Sequence, residues 1–320
     1  MNLEKSHKRC LISGSENLRS LKRYEKDYLV KSRPLGFVFT SKIPTEEELA
    51  AHYKGYPRSE FISPITIKRY NELLDDFERY RKTGKILDIG CDVGHFLEQA
   101  KKRGWEVYGT EYTDEAIIKC QQKGIHISKG KLDPEWFVAE IFDIVTSFEV
   151  IEHINNPVEE VSNIHKLLRN GGLFYVTTPN FNAIERFILR EKYHSVIQYP
   201  EHLSYYTKKT LNYLMSKNGF KKIKITTTGI SVTAIKNGLS IREEKFASTT
   251  SSDQIIRRKM EGNFLLRLCK VITNYFLNVF SLGSSMKGWY QKETTHSINS
   301  SYRLIPHSSN TKAGQQSTES

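Results

Sequence analysis

Between residues 61 and about 230, short β-branched runs alternate with helical patterns, and this alternation constrains the chain more than any other feature. Lys85-Ile86-Leu87-Asp88-Ile89 reads as a short buried strand, and Gly94–Arg103 as a helix stopped by Gly104. Glu106–Thr110 is a second strand, and Asp114–Gln122 a second helix with Asp114 as its N-cap. Ile125–Ser128 and the nearly continuous apolar run Phe142–Phe148 are further strands. Val158–Arg169 is helical, stops at Asn170-Gly171-Gly172, and leads into a strand at Leu173–Thr177. A helix at Thr207–Lys217 and a strand at Phe220–Thr227 follow. Such a series predicts an α/β fold with a parallel sheet covered on both faces. Ligands of such sheets bind outside the carboxyl ends of the strands, where strand order switches.

Two features fall at that end. Asp88-Ile89-Gly90-Cys91-Asp92-Val93-Gly94-His95-Phe96 joins the first strand to the first helix. Glycines there let backbone approach a ligand and adopt positive φ, and the helix N-terminus adds a positive dipole end. Glu111 ends the second strand about twenty residues later, where a carboxylate can hold two ribose hydroxyls. Read alone, the loop is a weak nucleotide signal and Glu111 could be an ordinary strand-end acid.

Five segments in order strengthen it: Ile86–Gly90, Gly109-Thr110-Glu111, Phe142–Val145, Glu149–Ile154 and Leu168–Gly172. Over roughly residues 8–291 the chain resembles the class I S-adenosylmethionine (SAM) methyltransferases, and within them the bacterial small-molecule group. The resemblance implies a Rossmann-like, doubly wound, mostly parallel seven-stranded sheet. It places Asp88 near the SAM amino group, and Gly90, Gly94 and Phe96 along the loop that lines the methionine part. It gives Glu111 the ribose, Tyr112 and Leu132 the adenine, and Phe148 and Glu149 the floor below the transferred methyl. One position departs from the family: Asp92 stands where glycine is usual. Asp tolerates left-handed φ better than most residues, so the turn can survive. Its carboxylate lies near the cofactor's charged end, where it either attracts the amine or repels the carboxylate.

Glu149, Glu152 and His153 have i, i+3, i+4 spacing, which on a helix puts them on one face. His202 follows in Tyr199–Thr207, just before a helix. Two carboxylates and two imidazoles suit Mg²⁺, Mn²⁺ or a similar ion. The E-x-x-E-H pattern with a later histidine is similar to the ubiquinone-pathway O-methyltransferases and the small-RNA 2′-O-methyltransferases. That likeness implies Glu149, Glu152, His153 and His202 as ligands beside an acceptor hydroxyl, with His153 and His202 as catalytic groups. A metal-free reading leaves His153 as a general base, and a purely structural one leaves Glu152 and His153 bonding a turn.

Residues 1–60 form a separate expectation. Cys10-Leu11-Ile12-Ser13-Gly14 and Ser32-Arg33-Pro34-Leu35-Gly36 each have the shape of a C-x-x-C-G knuckle with ligands replaced. Structural zinc needs four good donors, and Cys10, Ser13, Ser32 and Leu35 offer one. A degenerate zinc-ribbon-like module without zinc is expected, held by strand pairing and by Phe37, Val38 and Phe39. Such modules resemble those of bacterial sugar and small-molecule methyltransferases.

The main domain is expected over 61–291, with an amphipathic helical insertion near 255–282, a polar linker at 240–262 and a disordered tail at 292–320. In Phe264–Leu282 the polar residues Arg267, Lys270, Thr273, Asn274, Asn278 and Ser281 form one stripe beside a wide apolar face. Arg267 and Lys270, each costing roughly 2.5–3.5 kcal/mol at a bilayer centre, argue against a spanning helix. The apolar face either packs on the chain's own sheet or meets a membrane surface or partner. Ser284–Tyr290 is expected to return as the last strand. Four scattered cysteines give no disulfide framework, and the first nine residues hold no apolar signal core, so a cytoplasmic location is expected, with a peripheral membrane contact through 264–282 as the alternative to packing on the sheet. The net charge of +12 favours phosphorylated substrates, nucleic acid or anionic lipid. The combined expectation is SAM-dependent O-methylation of a small molecule such as a saccharide or glycan precursor, phosphorylated or lipid-linked. The rivals are an RNA 2′-O-methyltransferase, for which no RNA-binding run is visible, and a non-catalytic protein of the same fold.

Overall fold

A computed structural model describes residues 6–53, 62–193, 196–239 and 262–293, with residues 255, 256 and 259 between the last two stretches. The expected linker lies mostly outside the described residues, as does the expected tail from residue 294 onward.

The main sheet has seven strands: β4 (Lys85–Ile89), β5 (Glu106–Glu111), β6 (His126–Lys129), β7 (Phe142–Phe148), β8 (Leu168–Pro179), β10 (Phe220–Thr228) and β11 (Ser285–Lys292). Their spatial order is β10-β11-β8-β7-β4-β5-β6, with only β11 antiparallel to its neighbours. The chain runs outward from β4 through β5 to β6, then crosses to β7 on the other side. The switch point therefore lies between β4 and β7, and Gly90 and Glu149 follow those strands. Apolar side chains from β4, β7 and β8 fill both faces, among them Ile86, Leu87, Ile144, Val145 and Phe174, all fully buried. Helices α3 (His95–Lys102), α4 (Asp114–Gln122) and α5 (Pro157–Leu167) occupy the crossovers. This is the doubly wound architecture expected of the alternating pattern.

Two boundaries differ from expectation. Helix α5 ends at Leu167, and β8 begins at Leu168, which pairs with Phe142. The ladder then slips and resumes at Leu173 opposite Ile144. Asn170-Gly171-Gly172 is thus a bulge inside the strand entry, with Gly171 at φ +73°, and not the helix stop expected of it. At the other end, Lys292 belongs to β11 instead of the tail. Its ammonium is buried and donates to the carbonyls of His165 and Leu168 and to Glu140.

A second, four-stranded sheet has the order β1 (Leu18–Ser20), β2 (Leu29–Ser32), β3 (Val38–Thr40) and β9 (Ser204–Tyr205). Its fourth strand comes from the main domain, so the N-terminal module and the segment after His202 share one sheet. The two knuckles have matching turns: Gly14 N–H donates to Cys10 O and Gly36 N–H to Ser32 O, each at 2.9 Å. Phe37 stacks on Phe39 and packs against Tyr206. The side-chain hydroxyls of Ser13 and Ser32 are buried without hydrogen-bond partners.

The amino-terminal edge of the main sheet is tied by Asp143. Its carboxylate is fully buried and accepts from the amides of Lys82 and Gly84 at 2.8 Å and from Arg169 Nε at 2.5 Å. Removing it leaves a nearly buried guanidinium and two amides without their acceptor. Asp143→Ala is therefore expected to cost about 3–5 kcal/mol of stability, measured by urea unfolding.

Candidate active site

The turn after β4 is built for close approach. Gly90 has φ +67°, and a Cβ there would meet Val150 Cγ2 at 2.7 Å. Asp92 takes φ +48° and keeps the turn in the left-handed form that glycine would give. Gly94, at φ +76°, starts α3, and a Cβ on it would meet Ile125 Cδ1 at 2.5 Å. Glu111 locks the loop from the next strand. Its Oε2 accepts the Asp92 amide at 3.1 Å, and its Oε1 accepts the amides of Tyr112 and Thr113 at 2.9 and 3.1 Å. The carboxylate is thus preorganised at the end of β5. Tyr112 stands open to solvent beside it, whereas Leu132 is sealed in the core.

Asp88 lies below the loop, buried, and accepts from Thr146 Oγ1 at 2.7 Å. Burial, with a smaller push from the Glu111 charge, raises its pKa to about 8. An acid held in this way is ready for a cation. Phe96 and Phe148 meet edge to face at 5.0 Å, and Tyr70 packs on both. Tyr70 comes from α2 (Pro64–Glu78) and faces Asp88 and Asp92; burial and those two charges push its pKa up to about 12. This covering helix was not expected from the sequence. Its signals were legible: Ser63 is the N-cap and accepts the Thr66 amide, Pro64 opens the first turn, and Ile65, Leu73, Leu74 and Phe77 form its buried stripe.

Beyond β7 the chain departs from the helical face expected of Glu149, Glu152 and His153. The Glu149 amide donates to Thr177 O at 3.1 Å, so Glu149 stays tied to β8 just past the end of β7, where the backbone turns through the left-handed region at φ +53° instead of entering a helix. Only Ile151–His153 form a single 3₁₀ turn. Glu149 is solvent-accessible, though crowded enough that its carboxyl pKa is raised, and its Oε1 lies 3.5 Å from Ser285 Oγ. Glu152 is buried, and its Oε2 accepts from Thr178 Oγ1 at 2.9 Å while Oε1 has no hydrogen-bond partner and lies 3.9 Å from His153 Nε2. Burial and the Glu149 charge hold its pKa well above the usual carboxyl range.

His202 joins this pair from the distant segment before β9. One ligating atom each from Glu152, His153 and His202 lies within 4.8 Å of the others. His153 Nδ1 is 2.8 Å from Glu201 O, and His202 Nδ1 is 2.6 Å from Val196 O. Each carbonyl demands a proton on Nδ1 and so leaves a lone pair on Nε2. Burial lowers both imidazole pKa values, that of His202 to about 4, so both rings are neutral at physiological pH. Two neutral imidazoles backed by carbonyls, beside a buried carboxylate oxygen without a partner, match the donor set of a divalent cation. Glu149 is not a member of this close group.

Sequence spacing gave no sign of the outer partners. His52, from α1 (Glu46–Tyr53), lies 3.2 Å from Glu201, and Tyr199 donates to Glu48 at 2.9 Å, so α1 braces the loop that carries His202.

A doubly wound sheet of this strand order, with a glycine loop after its first parallel strand and an acid at the end of the next, is the architecture of class I SAM-dependent methyltransferases. Residues 63–225 match the methyltransferase domain family, and the chain belongs to it. Ubiquinone biosynthesis O-methyltransferases are among its relatives. That of Nitrosomonas europaea is 27% identical over 144 residues, 41% of this chain and 60% of the relative. That of Ruegeria sp. is 32% identical over 124 residues, 35% of this chain and 50% of the relative. The matches thus span only about half to three-fifths of those relatives' length. Solved structures similar to it include a SAM-dependent methyltransferase from Archaeoglobus fulgidus (18% identity, TM-score 0.49, 76% of this chain and 99% of that one). Another is the phosphoethanolamine N-methyltransferase 2 of Haemonchus contortus with SAM (16% identity, TM-score 0.49, 80% and 63%).

Asp88 yields a pH prediction. Its folded pKa of about 8 lies above the unfolded value near 3.9, so between these the unfolded chain releases a proton that the fold retains. Its contribution to the stability of the ligand-free protein therefore falls with rising pH, by up to about 1.4 kcal/mol per unit. Asp88→Asn is expected to gain stability relative to the parent between about pH 5 and about pH 8, read as the difference between two urea titrations.

Proposed function

We propose that this chain transfers the SAM methyl group to a hydroxyl of a small-molecule acceptor, with Glu152, His153 and His202 holding Mg²⁺ or Mn²⁺ beside that hydroxyl. The observation that carries the reading is the convergence of one ligating atom each from Glu152, His153 and His202 within 4.8 Å, with Glu152 Oε1 lacking a hydrogen-bond partner. When bound, such an ion supplies Lewis acidity that lowers the pKa of the hydroxyl. The chain's own part is positioning. Glu201 O and Val196 O orient the imidazoles, and Thr178 fixes the second oxygen of Glu152. Asp88 offers its carboxylate to the SAM amine, and Glu111 offers its own to the ribose. Tyr70, Phe96 and Phe148 exclude water at the transfer end. Methyl transfer is an in-line displacement at an activated sulfonium, so orientation supplies much of the acceleration, up to about 7–11 kcal/mol.

The names of the curated relatives favour oxygen as the acceptor atom. The likeness of the N-terminal module favours a saccharide or glycan precursor, and the net charge of +12 with the apolar helix favours one that is phosphorylated or lipid-linked.

Calorimetry of SAM binding, followed by labelled-methyl transfer to extracts with Mg²⁺, Mn²⁺ or chelator, tests this reading. SAM should bind the parent chain in the micromolar range. Glu152→Gln should keep that affinity and lower transfer by roughly 10²–10⁴, the range for loss of one positioned catalytic group. Transfer that survives chelator but not His153→Ala would replace the ion with His153 as base. Absence of SAM binding, restored by Asp92→Gly, would overturn the catalytic reading.

A further inference from the structure

Helix α9 (Phe264–Val279) is oriented opposite to an ordinary surface helix. Part of its polar stripe, Asn274 and Asn278, faces the protein, while Arg267 and Thr273 are exposed. Asn274 Oδ1 accepts the Gly229 amide at 2.8 Å, Asn278 Oδ1 accepts the Thr227 amide at 3.0 Å, and Lys208 donates to Asn278 O at 2.6 Å. Thr227 Oγ1 also donates to Leu277 O, and Leu277 is the helix's one buried side chain among the described residues. The apolar stripe faces solvent: Phe264, Leu265, Val271, Tyr275 and Phe280 lie 64–74% exposed. A face of this size on a helix pinned by its polar side marks an interaction surface.

Charge identifies the occupant. Residues 202–242 and 262–292, which build α7 (Lys208–Lys217), β10, α9 and β11, contain twelve lysines and arginines and no aspartate or glutamate. They account for the whole net charge of +12; the rest of the chain is neutral. Lys221, Lys222 and Lys224 are exposed on the edge strand β10, against which α9 packs. Self-association through this face would bring two such acid-free regions together, whereas an anionic bilayer complements both the apolar stripe and the charge. No helix among the described residues is long and apolar enough to cross a membrane. We infer that α9 lies in the surface of an anionic membrane and that β10 contributes headgroup contacts. The helix leads directly into Ser285, whose hydroxyl reaches Glu149, so this docking turns the cleft mouth toward the bilayer. Resting on the methyl-transfer reading above, it favours an acceptor carried on a lipid.

Co-sedimentation with vesicles of phosphatidylcholine, alone and mixed with phosphatidylglycerol, tests the inference on the full chain. Binding should be at least about tenfold tighter to the mixed vesicles, at roughly 1 kcal/mol per basic residue near the surface, and weaken with salt. The pair Ile272→Asp and Phe276→Asp should abolish it while SAM affinity stays unchanged, since both side chains are exposed. Cys269 is exposed and the other three cysteines are buried, so a polarity-sensitive dye there should brighten on mixed vesicles only. No binding to mixed vesicles overturns the inference, as does a dimer in sedimentation equilibrium that the same pair dissolves without vesicle binding. SAM calorimetry on the same sample separates that failure from failure of the methyl-transfer reading.

Discussion

Leu203 joins the parts of this molecule. Its amide donates to Glu152 O at 2.8 Å, and its carbonyl accepts the Thr40 amide at 2.9 Å. One residue thus links the 3₁₀ turn carrying Glu152 and His153, the segment carrying His202, and the N-terminal sheet. Without these two bonds, the loop carrying His202 would be held on the β7 side, among the bonds of the described residues, by the His153–Glu201 contact alone. With them, an imidazole 49 or more residues from its partners in sequence stands edge to face with His153 at 4.8 Å between ring centres. The N-terminal module therefore acts as a brace for the chemistry. Its strand β3 pairs with β9, while His52 and Glu48 of α1 hold Glu201 and Tyr199 from the far side.

That role explains how the module coheres with so few metal donors. Cys10 is buried in the same hydrophobic cluster as Ile12, Phe37 and Tyr206. The knuckle turns are closed by their own backbone hydrogen bonds, and the sheet continues into a strand of the main domain. The buried hydroxyls of Ser13 and Ser32 cost stability because nothing pairs with them. Aromatic packing and a shared sheet offset that cost, which makes the module dependent on the main domain instead of self-sufficient.

Where local pattern decided the structure, the sequence was legible. The strand–loop–helix around Gly90 and Gly94, the placement of Glu111 after β5 and the apolar run of β7 follow from periodicity and turn chemistry alone. Local spacing misled where a neighbouring strand won. Glu149, Glu152 and His153 have helical spacing, but the bond from Glu149 to β8 and its left-handed backbone turn its side chain toward Ser285. Helix α2 was readable from Ser63-Pro64 and its apolar stripe, yet its function was not. That Tyr70 covers Asp88 depends on how α2 packs against α3, a tertiary fact. The two-residue strand β9 carries no sequence signal of its own; only its partner β3 makes it a strand.

Helix α9 shows the same limit in another form. Periodicity divides its residues into two stripes but does not say which faces inward. In a globular protein the apolar stripe turns to the core because burial gains about 25 cal/mol per Å². Here the inward position is taken by Asn274 and Asn278, which satisfy the amides of Gly229 and Thr227 after β10 has reached its last paired residues. Those amides have no strand on that side, since β10 is the sheet edge. An edge left unpaired invites association with other chains. Capping it with asparagines protects the end of the edge strand and, because the stripes are on opposite faces, presents the apolar stripe outward. The geometry that closes the sheet is thus the same geometry that exposes the helix.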